Sequence, residues 1–198
     1  MIYTSKAKLY SKEYINEFKK YIDICAIINK EEANQIIEEL RDFIGSTDLI
    51  DDKQSSMISL MRKGIVIHHG SMPLYARLLI ERFINKGFAR ICFATSTLLQ
   101  GIDMPFDIVW INNFNFKGPE DSKRLDLKNL IGRAGRTNSK TNSFDYGYVI
   151  INANNVTTFS KRMNASAKIS EKSLLDSDIE NIPEDYVDLV ESIKNESF

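Results

Sequence analysis

The chain has 198 residues and a formal net charge of −1, a length that suits one domain with an appendage and can bury roughly 70% of its unfolded surface without covalent staples. Its two cysteines, Cys25 and Cys92, lie in apolar contexts and read as reduced core residues of a cytoplasmic protein, not as a disulfide framework. No apolar run approaches the ~20 residues of a membrane helix, and the N-terminus lacks the basic-then-apolar pattern of a signal peptide.

Short apolar runs alternate with helical patterns, the mark of an α/β fold with a parallel sheet. Ile2-Tyr3-Thr4 reads as a strand end, and Ser5 can cap a helix through about Tyr21. Ala33, Ile36, Ile37 and Leu40 give Glu31 to Phe43 an amphipathic helical pattern. A polar connection leads to a short helix over Gln54 to Arg62. Gly64 to His69 is a buried strand, and Ser71 and Pro73 open a helix through Lys86 that Gly87 stops. Strands are expected at Arg90 to Ala94, Asp107 to Ile111 and Tyr146 to Ile151, with a helix from about Leu127 to Arg136. Beyond Asn152 the pattern predicts a helix near Phe159 to Ala167, an acidic stretch, and an amphipathic helix over Pro183 to Lys194.

Charge is unevenly spread. Arg62 to Lys140 holds 13 basic and 6 acidic residues, a net of +7, whereas Ser170 to Phe198 holds 2 basic and 9 acidic, a net of −7. A basic middle suits a polyanionic partner, although ordinary solvated faces give the same count.

Two runs carry the chemistry. Asn129-Leu130-Ile131-Gly132-Arg133-Ala134-Gly135-Arg136 puts two glycine-preceded arginines three positions apart. On a helix both guanidiniums would project from one face, and such a pair suits a polyphosphate. The glycines would let a ligand approach the backbone closely. The second run, Ala94-Thr95-Ser96-Thr97-Leu98-Leu99-Gln100-Gly101-Ile102-Asp103-Met104-Pro105, places hydroxyls and free N–H groups where a strand gives way to a short helix. That is a setting for an anion, with plain N-capping as the competing reading. His68 and His69 have no Cys or acidic partner at ligand spacing in the sequence, so no metal site is expected. His68 reads as a core histidine.

In this order, the motifs resemble the second RecA-like domain of superfamily 2 helicases, over residues 2–151. The wording is similar to the large unwinding branch rather than the DEAD-box proteins. Ile2 to Ala7 resembles motif IV, Ala94 to Pro105 motif V and Asn129 to Arg136 motif VI. His69-Gly70, with Arg77 eight residues after His69, matches a superfamily spacing. Asn129 stands where motif VI usually opens with Gln or His, and Asp103 where the unwinding branch often has Asn.

The resemblance implies a three-layer RecA-like domain over 1–152, followed by a helical acidic extension over 153–198. It implies the second motor domain of an ATP-dependent DNA or RNA helicase, using ATP and Mg²⁺. Arg133 and Arg136 would be arginine fingers, and Gly101, Asp103, Asn129 and Gly132 would join them around ATP. Thr4, Ser5, His69, Gly70, Thr95, Ser96 and Thr97 would hold a single-stranded tracking strand. Phe114 and Phe116 would form a strand-separating wedge, or else pack against the sheet.

The sequence contains no Gly-x-x-x-x-Gly-Lys-Ser/Thr loop and no Asp-Glu box after a strand, so it lacks the usual cradle for β- and γ-phosphates. The expectation is a segment of a longer polypeptide, inactive alone and completed by an N-terminal RecA-like domain, with no membrane partner. The alternative is a non-catalytic RecA-like module that binds nucleic acid or protein.

Overall fold

Five strands form one parallel sheet: β1 (Ile2–Tyr3), β2 (Ile65–His68), β3 (Ile91–Ala94), β4 (Ile108–Ile111) and β5 (Tyr148–Ile151), in the spatial order β2-β3-β1-β4-β5. The computed structural model describes residues 1–45, 55–96, 104, 106–135 and 146–167. The anticipated helix over Pro183 to Lys194 and the acidic stretch before it lie outside these residues.

Alternation along the strands assigns side chains to two layers. Val66, Cys92, Ala94, Tyr3, Val109 and Ile111 face the larger core. That core is closed by α4 (Glu31–Phe43), α6 (Leu74–Asn85), α7 (Glu120–Ile131) and, at its margin, Phe159 and Met163 of α8 (Val156–Asn164). Ile65, Phe93 and Ile2 face the opposite layer with Leu9, Tyr14, Phe18 and Ile22. The short helix α5 (Ser56–Arg62) contributes Leu60 to this second layer and Ile58 and Met61 to the first. The architecture is therefore α/β with helices on both faces of a parallel sheet.

The single helix expected from Ser5 to Tyr21 is instead three five-residue helices, α1 (Lys6–Tyr10), α2 (Glu13–Glu17) and α3 (Lys19–Asp23). Packing explains the break. In one continuous helix, Leu9 and Tyr14 would point about 140° apart. Lys12, left-handed at φ 60°, turns the chain so that Leu9 joins Tyr14, Phe18 and Ile22 on the sheet. Helix α4 has the expected bounds, and Gly87 ends α6 at φ 73°.

Helix α7 departs most. It begins seven residues before the expected start, after Pro119 and with Glu120 and Asp121 in its first turn, where acidic residues favour the helix dipole. It ends at Ile131, short of both motif VI arginines.

Candidate nucleotide and nucleic-acid interface

Parallel strands deliver the segments that follow them to one edge of the sheet. His69-Gly70 follows β2, Thr95-Ser96 follows β3 and Thr4-Ser5 follows β1, and these three strands are neighbours. The Thr4 N–H donates to Ala94 O at 2.9 Å, and the Thr95 N–H donates to His68 O at 3.3 Å. Three segments distant in sequence thus become one continuous rim.

Within the rim the side chains differ in access. Ser96 is exposed, and His69 and Gly70 are half-buried. Thr95 is only 6% exposed. Thr4 departs from its expected role: it is 1% exposed, and its hydroxyl lies inside without a hydrogen-bond partner. Ser5 Oγ accepts the Lys8 N–H at 3.3 Å, which is the capping role. Burial, then the charge of Lys6, holds the His69 imidazole below its ordinary pKa, which favours its neutral form. Thr97, Gly101 and Asp103 lie outside the described residues.

The rim also contains a residue that the sequence reading missed. The Tyr10 ring meets the His69 ring edge-on, with centroids 5.5 Å apart, and Lys6 Nζ stands 6.0 Å from the Tyr10 centroid. The available signal was the i, i+4 spacing of Lys6 and Tyr10 just after the Ser5 cap.

Ala134 and Gly135 of the arginine motif sit by Phe106, at the amino end of β4. Helix α7 runs back from the end of β4 towards the start of β5, and Gly132 is its C-cap. Ala134 then bridges Phe106, and the Gly135 N–H donates to Phe106 O at 2.8 Å. Arg133 consequently lies beyond the helix, and the expected pairing of Arg133 with Arg136 on one helical face does not hold. Arg136 is outside the described residues.

Two details explain this ending. Gly135 has φ 72°, which favours glycine. A Cβ there would lie 2.5 Å from the Gly147 amide nitrogen, so the close approach made possible by this glycine is to the chain's own backbone. Arg133 is only 4% exposed, contrary to the open rim expected of a finger. Asn129 and Gly132 are exposed on the last turn of α7.

His68 is fully enclosed, with Nε2 3.0 Å from Glu81 Oε1 on α6. Burial holds its pKa below the ordinary value, against the pull of Glu81. The charges of Arg77 and Arg133 lower it further, so both arginines act on this pair. The acidic partner is not legible in the sequence, because Glu81 lies on a different element 13 residues away. Among the described residues no group of three His, Cys, Asp or Glu could hold a metal ion.

Phe116 is 4% exposed and stacks on Tyr3, with centroids 5.6 Å apart and planes at 10°. Phe114 meets Phe116 edge-on at 5.5 Å. Arg162 of α8 lies over both rings, at 5.4 and 5.8 Å, and pairs with Glu120. These aromatics pack against the sheet as one cluster, and Phe116 is not presented as a wedge.

No known protein-family profile matches the chain. It is 34% identical over 89 residues to the Hachiman protein HamB of Bacillus cereus, covering 45% of this chain and 8% of that protein. It is 26% identical over 134 residues to the antiviral helicase SKI2 of Saccharomyces cerevisiae, covering 65% of this chain and 10% of that protein. It is 28% identical over 113 residues to the ATP-dependent DNA helicase Hel308 of Caldivirga maquilingensis, covering 55% and 14%. The chain thus spans about a tenth of the length of these relatives, and it is similar over about half of its own length or more to segments of nucleic-acid helicases.

Proposed function

We propose that this chain is the second motor domain of an ATP-dependent nucleic-acid helicase or translocase. Residues 1–152 form the RecA-like unit, and 153–198 form an extension whose first helix packs back through Phe159 and Met163. The observation that carries the reading is the rim at the carboxyl ends of β2, β3 and β1, held together by the Thr4–Ala94 and Thr95–His68 hydrogen bonds. Such a rim is where α/β sheets take ligands. Ser96, with Thr95 and Thr97, contacts backbone phosphates of a single strand, beside His69 and Gly70. The similarity to helicases supports the same reading.

The nucleotide side is the exposed turn at Asn129 and Gly132, together with the motif V residues Gly101 and Asp103. A Cβ on Gly132 would meet only carbonyls of its own helix, at 3.3 and 3.7 Å, so this turn is open to an incoming group. ATP, with Mg²⁺, is held mainly by an N-terminal RecA-like domain, whose phosphate cradle supplies the chemistry. Because Arg133 is enclosed, we assign the phosphate-facing arginine to Arg136 and give Arg133 the task of fixing the turn that presents it.

In the full-length motor protein, Arg136→Ala is expected to reduce nucleic-acid-stimulated ATP hydrolysis by about 10³-fold while single-strand binding is retained. The 198-residue chain alone is expected to show negligible turnover. Normal turnover of Arg136→Ala would remove the phosphate-facing role from that arginine, whereas a full-length protein with no nucleic-acid-stimulated turnover would favour the second reading, a RecA-like binding module without ATP chemistry, for which the enclosure of Arg133 is the supporting observation.

A further inference from the structure

We propose that Tyr10 and His69 form a stacking site for one unpaired base of a single-stranded nucleic acid, with Lys6 beside it to meet the adjoining phosphate. The proposal rests on the reading of the rim as a nucleic-acid track and adds to it a contact with a base.

Position comes first. Tyr10 ends α1, the helix that follows β1, and His69 directly follows β2. The strand between them in the sheet is β3, which carries Thr95 and Ser96. The aromatic pair therefore joins the segments after β1 and β2, whose strands flank the one that leads into the segment assigned to backbone phosphates. A base attached to a strand held there lies within reach of both rings.

Chemistry comes second. Tyr10 is 60% exposed, and among the described residues its hydroxyl meets no hydrogen-bond partner. Tyr14, four residues later, shows the alternative: it is buried, with its ring 4.6 Å from Phe93. Tyr10 takes no part in that layer and is held instead against His69, at 5.5 Å and 60° between planes. Burial and the Lys6 charge favour neutral imidazole in His69, so the pair offers π surface and no anion-binding charge of its own. The cation is Lys6, 6.0 Å from the Tyr10 centroid, while Lys8 is tied to Glu17 at 2.9 Å. Aromatic surface next to an unpaired cation is the combination that binds single strands without reading their sequence.

The test measures binding of the 198-residue chain to a fluorescent oligothymidylate and to an abasic strand of the same length, by anisotropy. The wild-type chain is expected to bind the oligothymidylate roughly tenfold more tightly than the abasic strand. Tyr10→Ala is expected to bring the oligothymidylate down to the abasic level, and Tyr10→Phe to restore the difference. Lys6→Gln should weaken both strands alike and reduce the salt dependence. Equal wild-type affinity for the two strands, or no effect of Tyr10→Ala, would overturn the stacking site and leave the phosphate track standing. No wild-type binding to either strand would overturn the track and the stacking site together.

Discussion

His68 and Glu81 meet inside the molecule, imidazole Nε2 to carboxylate Oε1 at 3.0 Å, and this contact ties the end of β2 to the middle of α6. The same histidine gives its carbonyl to the Thr95 N–H, and its imidazole feels the charges of Arg77 and Arg133. One residue therefore ties β2 both to α6 and to the start of motif V. The neutral imidazole donates from Nε2 to the carboxylate, which leaves Nδ1 as a buried acceptor without a partner.

That arrangement fixes a pH dependence. In the folded chain the His68 pKa lies below its ordinary value of about 6.5, chiefly through burial, and His69 shifts in the same direction. Above pH 6.5 both states are neutral and the contribution to stability is fully present. As pH falls below that value the unfolded chain takes up protons before the folded one, so stability declines towards the folded pKa. Urea midpoints should be flat above pH 6.5 and should fall below it, with a weaker fall in His68→Gln. A midpoint that rises on acidification would mean that His68 is charged in the fold.

Arg133 has a stability role that a surface finger would not have. Its side chain is enclosed beyond the end of α7, so Arg133→Ala removes packing as well as charge. Chemical denaturation should show a loss of about 2 kcal/mol for Arg133→Ala and a smaller loss for Arg133→Met, which keeps the stem. Wild-type stability in Arg133→Ala would return the residue to the surface and to the finger assignment.

Gly135 and Gly147 cross so closely that neither tolerates a side chain. A Cβ on Gly147 would collide with the backbone of Ala134 and Gly135. Gly45 is the control, because it has a positive φ of 66° with open space around it. Gly45→Ala should cost about 1 kcal/mol from its backbone angle alone. Gly135→Ala combines angle and collision, and Gly147→Ala has the collision, so each should cost more than about 2 kcal/mol by denaturation. Equal losses at all three positions would remove the crossing as the reason for these glycines.

Strand positions and the α4 and α6 helices were legible because alternation and helical periodicity act locally, whereas the grouping of His69 with Thr95 came only with the family resemblance. The end of α7 was not legible. Gly-Arg-Ala-Gly-Arg has a spacing compatible with a helix, and the features that accompany its departure from one, the crossing of Gly135 with Gly147 and the bridge of Ala134 to Phe106, are contacts outside the motif. The break at Lys12 is of the same kind, since it serves the alignment of Leu9 with Tyr14 on a sheet assembled from distant segments. Tyr10 was passed over because its partner, His69, belongs to another strand's loop. Glu81 was invisible as a partner of His68 for the same reason.

Phe116 and Phe114 separate a packing role from a wedge role. Phe116 is sandwiched between Tyr3 and Arg162, while Phe114 touches the cluster edge-on and is half-buried. Phe116→Ala should therefore lose about 3 kcal/mol of stability, in the range for a buried phenylalanine, and Phe114→Ala less. A wedge would behave in the opposite way, with strand separation lost in the full-length motor protein and the folding midpoint unchanged. Arg162→Met offers a second check: it should lower stability mildly through the loss of its contacts with both rings and with Glu120, by about 1 kcal/mol. The two measurements together place Phe114 and Phe116 either in the core or on the nucleic-acid path, because the two roles predict opposite patterns of stability and strand separation.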